Sequence, residues 1–174
     1  TAALEYAHTN AAILKTTPAL ISIGGDSAGG NLSVAAALQC GHLPVRSLIL
    51  FYPVTKAYAD GSKSWNKYGH GYGLDADLMT EFNKAYTIRS TPYNPLISIS
   101  LAKTETLAKL PPTLLVAAGR DILRDQGKEF ADRLPGIVRR VEFPGAVHLF
   151  ITVPGQPTAF KKAVELSINC LSKY

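Results

Sequence analysis

The 174-residue chain is 47% hydrophobic and 18% charged, a composition that fits one globular domain with one core and has no apolar stretch long enough to span a bilayer. Its formal charge of +5 is scattered, with adjacent basic pairs only at Arg139-Arg140 and Lys161-Lys162, so no basic tract points to nucleic acid. Cys40 and Cys170 lie far apart with no C-x-x-C, which reads as two unpaired thiols in a reducing compartment. With no signal peptide in a chain that opens on Thr1, a cytoplasmic location is the expectation.

Residues 1–13, TAALEYAHTNAAI, are rich in helix formers and place Leu4, Ala7, His8 and Ala11 on one face. Pro18 ends that helix, and the β-branched run from Ala19 to Ile23 predicts a buried strand. A small-residue helix follows from Ser27 to Gln39, carrying Leu32, Ala35, Ala36 and Leu38. Further strands are predicted at SLILFY (47–52), TLLVAA (113–118) and VRRVEF (138–143). Helical patterns occupy 75–87, 125–134 and 157–171. In the last, Phe160, Val164, Ile168 and Leu171 recur at helical period behind Pro157 in the first turn.

Strands that are apolar throughout and alternate with helices predict an α/β fold: a mainly parallel, doubly wound sheet with helices on both faces. Right-handed crossovers gather the strand-to-helix loops at the carboxyl edge of such a sheet, where chemistry is to be sought. Three exits stand out there: the corner Gly25 to Gly29, GRDILRD after the third strand, and GAVHLF after the fourth.

Gly25-Asp26-Ser27-Ala28-Gly29 fits G-x-S-x-G between a strand and a helix. A strained turn of this kind lifts the serine oxygen above the sheet, and its glycines avoid clashes in the tight corner. The following helix points free N–H groups at the same place, and the Ala28 N–H is positioned to stabilise charge on a substrate oxygen. A serine hydroxyl needs a base, and the base an orienting carboxylate. Of four histidines, His8 and His42 read as surface or packing residues, and His70 in YGHGYG is the second candidate. His148, beyond the fourth strand, is the preferred base. Asp121, nearest the third strand's end, is assigned to it, and Asp125 to capping the helix behind it. The order Ser27, Asp121, His148 is that of α/β-hydrolases.

The stretches GDSAGGNLSVAAAL, SLILFYPV, LPPTLLVAAGRDILRDQG and FPGAVHLF together resemble the hormone-sensitive-lipase family of α/β-hydrolase esterases. The resemblance implies Ser27 as nucleophile, Asp121 as triad acid and His148 as base in a serine esterase acting on small-molecule, short-chain esters through an acyl-enzyme. Ile122 stands where the family usually has proline, and Leu149 where it usually has glycine. The H-G-G-G loop that supplies most of the family's oxyanion donors is absent. The expectation is therefore that residues 1–174 are the C-terminal portion of one α/β-hydrolase domain, supplying about half of its sheet. The plant gibberellin receptors also resemble this family, which makes a non-catalytic small-ligand receptor the alternative, although their triad histidine is replaced and His148 is present here.

The segment from about 56 to 100 is too long for a simple βα connection. It holds seven of the chain's fifteen aromatic residues, which suits either a satellite hydrophobic cluster or a cap-like insertion over a substrate pocket. Metal and cofactor readings fail on spacing: there is no H-x-x-x-H or Cys/His cluster, and GGDSAGG lacks a phosphate loop's lysine and a dinucleotide fingerprint's spacing.

Overall fold

The computed structural model describes residues 1–173. Strands β1 (Ile23–Asp26), β2 (Leu48–Phe51), β3 (Thr113–Arg120) and β4 (Val138–Val147) form one parallel sheet in the order β1-β2-β3-β4. Helices α1 (Ala2–Thr9) and α2 (Ala28–Gln39) flank β1, and α3 (Lys63–Tyr68), α4 (Ala76–Tyr86) and α5 (Thr104–Leu107) lie between β2 and β3. Helix α6 (Arg124–Asp132) joins β3 to β4, and α7 (Pro157–Lys173) follows β4.

Neighbouring strands that follow one another in sequence, joined by crossovers of one hand, put their connecting helices on one side of the sheet. That side is the larger core: Leu48, Leu50, Leu115 and Ala117 meet Val34 of α2, Leu107 of α5 and Phe130 of α6. The alternate residues Ile49, Leu114, Val116 and Ala118 face the other way, where α7 covers them through Ala163 with Ala159, Leu166 and Cys170 packed around it. Both faces of β2 and β3 are thus sealed, which is why their sequences are apolar throughout.

The structure departs from the sequence expectation in several places. Pro18–Leu20 is a 3₁₀ turn, and β1 begins later, running through Gly24 and Gly25. Four residues of β2 are there to pair with it, from Ile23 opposite Leu48 to Asp26 opposite Phe51. The opening helix stops at Thr9 and leaves Ile13 and Leu14 exposed. In α2 the buried positions are Gly30, Asn31, Ser33, Val34, Ala35 and Ala37, while Leu32 is turned outward. Small side chains let that helix lie close to the sheet. In α7 the sheet takes Ala163, and the stripe Phe160, Val164, Ile168 and Leu171 lies largely exposed on the helix's outer flank.

The long connection after β2 has its own small core, in which Val54, Trp65, Leu74 and Met79 pack with Ile122 and Leu123 from the exit of β3. Gln126, fully buried on α6, ties its start down by accepting hydrogen bonds from the Thr55 N–H at 2.6 Å and the Lys56 N–H at 2.8 Å. Asn31 of α2 ties it again, its amide donating to Val54 O at 2.9 Å and Ile97 O at 2.8 Å.

Candidate active site

Three strand exits converge at the carboxyl edge of the sheet. At the first, Ser27 has φ 50° and ψ −115°, outside the regions a non-glycine residue ordinarily occupies. Two main-chain bonds from the end of β2 hold it there: the Ser27 N–H donates to Phe51 O at 2.9 Å, and Ser27 O accepts from the Val54 N–H at 3.1 Å. Close backbone contact dictates the glycine ahead of it, since a Cβ on Gly25 would lie 2.4 Å from the Gly29 carbonyl carbon. The tightness brings the amino end of α2, beginning at Ala28, directly under the serine.

At the second exit Asp121 is 1% exposed. Its Oδ1 accepts from the Leu123 N–H at 2.8 Å, which closes the loop on itself and leaves Oδ2 free to face β4. At the third, β4 carries two extra residues against β3 between the pairs Ala118–Phe143 and Arg120–Val147. Such an irregularity bends a strand and re-aims the side chains beyond it. His148, 5% exposed, stands immediately past the end of that strand.

The imidazole joins the other two. His148 Nδ1 lies 2.7 Å from Asp121 Oδ2 and His148 Nε2 lies 3.0 Å from Ser27 Oγ. Because the ionised carboxylate can only accept, Nδ1 carries the proton and Nε2 is left to accept from the serine hydroxyl. This arrangement can remove a proton from Ser27 and return it to a leaving group. The sequence-selected residues Ser27, Asp121 and His148 are therefore brought together, with the Ala28 N–H at the head of α2 beside them. His42 and His70 are exposed. His8 is buried with its Nε2 unpartnered among the described residues.

Asp125 does not cap α6, which starts at Arg124 with no side-chain cap. Its carboxylate instead meets Arg124 at 2.8 Å and accepts from the Ser64 N–H at 2.8 Å, while the Ser64 hydroxyl donates to Ile122 O at 2.9 Å. The loop that presents Asp121 is thereby bolted to α3. Burial pulls the Asp125 carboxyl upward, but the bonds from Arg124 and Ser64 outweigh it and hold it below the usual carboxylate range.

One neighbour of the imidazole escaped sequence reasoning. Tyr52, 2% exposed, places its ring 4.6 Å from the His148 ring, centroid to centroid, at 53°. Burial, aided by the charge of Asp26, pushes its hydroxyl up to about 12. Its only sequence signal was a tyrosine at the end of an apolar strand, just before Pro53.

The model of the alpha/beta hydrolase fold family matches residues 1–152. This chain belongs to that family. Among its α/β-hydrolase relatives, an arylesterase from Saccharolobus solfataricus is 37% identical over 160 residues, covering 87% of this chain and 51% of the relative. The carboxylic ester hydrolase LipN of Mycobacterium tuberculosis is 35% identical over 144 residues, covering 76% of this chain and 37% of its own length. An esterase structure from a study of two Rhizomucor miehei fungal esterases superposes with a TM-score of 0.89 at 28% identity, covering 98% of this chain and 57% of that one. The chain spans about half the length of the relatives it matches. These likenesses bear out the resemblance to hormone-sensitive-lipase-like esterases read from the motifs.

Proposed function

We propose that the chain carries the nucleophile, base and orienting acid of a serine esterase that cleaves short-chain carboxylic esters through an acyl-enzyme. The observation that carries this reading is the unbroken hydrogen-bonded series from Ser27 Oγ through His148 to Asp121. Ser27 Oγ attacks the ester carbonyl carbon as its proton passes to His148 Nε2. Asp121 holds the Nδ1–H and stabilises the imidazolium that forms. The carbonyl oxygen takes up negative charge near the Ala28 N–H at the amino end of α2. The tetrahedral intermediate collapses, the alcohol departs with the proton from His148, and an acyl group remains on Ser27. Water, deprotonated by His148, then attacks the acyl carbon, and the acid and free Ser27 are released.

A single N–H is only part of an oxyanion site. In this reading the remaining donors come from polypeptide outside residues 1–174, and residues 56–100 form part of a cap over the acyl or alcohol group.

The full-length protein is expected to release nitrophenol from short acyl esters, and Ser27→Ala to abolish the reaction. An undiminished rate in that variant removes Ser27 as nucleophile. A fluorophosphonate probe distinguishes the receptor alternative: an esterase labels at Ser27, whereas a receptor leaves the serine unmodified and binds a ligand saturably.

A further inference from the structure

Among the described residues, four other than glycine have positive φ: Lys15, Ser27, Tyr52 and Leu149. Three of the four stand at strand exits around the candidate site. Ser27 is the proposed nucleophile and Leu149 directly follows the proposed base, but no role has been given to Tyr52, whose φ is 36°. Backbone strain of this kind persists only where surrounding contacts enforce it, and it gathers where a side chain must be aimed.

The contacts that enforce it are on hand. The Tyr52 N–H donates to Val116 O at 2.7 Å, which extends the β2–β3 pairing one residue past the strand. The next two residues then turn sharply, so that the Val54 N–H reaches Ser27 O at 3.1 Å. Between these two fixed points the left-handed backbone turns the Tyr52 ring toward the third strand exit. There it meets the His148 ring at 4.6 Å and Phe150 at 5.5 Å, edge to face. The Tyr52 hydroxyl is buried near Thr152 and Ile151 and makes no hydrogen bond of good geometry among the described residues. The ring is what meets the imidazole.

We propose that Tyr52 is a positioning residue for His148: its ring backs the imidazole and keeps Nε2 aimed at Ser27 Oγ. This inference rests on the esterase reading above. Asp121 and Ser27 hold the two ring nitrogens of His148 at 2.7 Å and 3.0 Å, and the Tyr52 ring, 4.6 Å away, walls the imidazole against sideways swing.

The test compares Tyr52→Leu, which removes the ring at similar bulk, with Tyr52→Phe, which keeps it, in the full-length protein. Three quantities are read: steady-state constants normalised to fluorophosphonate-titrated sites, the melting temperature, and the downfield proton resonance of the His148 Nδ1–H. Tyr52→Leu is expected to lower kcat about 10- to 100-fold, the scale set by small misplacements of a reacting group. KM should stay within about twofold, because the ring acts on the base and not on ground-state binding. The downfield resonance should broaden. Tyr52→Phe should recover most of the rate and a sharp resonance. A merely structural role would lower the melting temperature of Tyr52→Leu while leaving kcat per titrated site and the resonance intact, and that result overturns the proposal. So does a Tyr52→Phe variant as impaired as Tyr52→Leu, since the hydroxyl would then be the active part. If Ser27→Ala hydrolyses as fast as the parent, the esterase reading falls by itself, and the resonance in Tyr52→Leu still decides whether the ring orders the imidazole.

Discussion

Ser27 sits in a backbone conformation that costs a non-glycine residue about 1–3 kcal/mol, and the main-chain bonds to Phe51 and Val54 are what hold it there. The corner tolerates no side chain at Gly25, where a Cβ would fall 2.4 Å from the backbone of Gly29. Gly25→Ala is expected to destabilise the protein by more than about 2 kcal/mol, as overpacking against rigid backbone does, and to remove activity; a urea midpoint equal to the parent's would show that the corner can relax. Asp125 gives a pH dependence whose sign is set by its environment. Its carboxyl is held below the ordinary range by Arg124 and Ser64 despite partial burial. The group therefore stabilises the fold above about pH 4, the unfolded carboxylate value, and the contribution fades as pH falls through the lower folded value. Asp125→Asn should flatten the acid limb of a stability–pH curve below pH 4 relative to the parent. Curves that stay parallel there would mean that Arg124 and Ser64 do not favour the ionised form. Asp121→Asn should leave the geometry standing but lower kcat by about 10⁴, since the wrong histidine tautomer is then favoured.

At the scale of elements, the long connection after β2 is joined to α6 and α2 by a few buried polar groups. Gln126 is fully buried and accepts from two backbone N–H groups, Thr55 and Lys56. Gln126→Leu should cost about 2–6 kcal/mol, because it orphans two donors and each costs about 1–3 kcal/mol, read as a lower urea midpoint with unchanged slope. A loss under about 0.5 kcal/mol would mean that water replaces the amide. The two departures from the resembled family also find their place at this scale. Ile122, in the position where the family usually has proline, is 1% exposed and fills the small core with Trp65 and Met79. Leu149, where glycine is usual, adopts φ 64° and, partly buried, packs against the core beneath α7. Apolar burial there offsets a backbone strain of about 1–3 kcal/mol for a non-glycine residue with positive φ.

Across the whole molecule, the described residues leave apolar surface without a cover. β1 has no strand neighbour on its outer side. Ile13, Leu14, Leu20 and Leu32 are each more than half exposed, and the outer flank of α7 adds Phe160 and Ile168. Exposed strand edges and contiguous apolar patches favour association. A polypeptide of residues 1–174 alone is expected to bind a hydrophobic dye, to self-associate, and to hydrolyse esters at least about 100-fold more slowly than the full-length protein, the cost of removing one oxyanion donor. Esterase rate and dye binding measured on the two side by side check this. A monomeric, dye-negative polypeptide with a comparable rate would require a donor from within residues 1–174, with the glycine-rich stretch Gly69 to Gly73 the first place to look.

Short-range patterns carried much of this in the sequence alone. Continuous apolar runs marked β2 and β3, because strands buried on both faces seldom carry polar side chains, whereas β4, with Arg139, Arg140 and Glu142, is only partly buried. The G-x-S-x-G corner marked Ser27, because a tight strand-to-helix turn demands small residues on either side of the serine. Loop position and motif order were enough to choose Asp121 and His148. Tertiary structure alone decided the rest. Which face of α7 meets the sheet depended on how closely the backbone approaches, and so the contact fell to Ala163 and not to the larger residues at helical period. Asp125 left the cap for Arg124 and Ser64 because α3, 61 residues away along the chain, delivers a buried N–H to it. The ring of Tyr52 reached His148 through a left-handed turn between two long-range hydrogen bonds, and no pattern local to residue 52 records a contact made 96 residues further on.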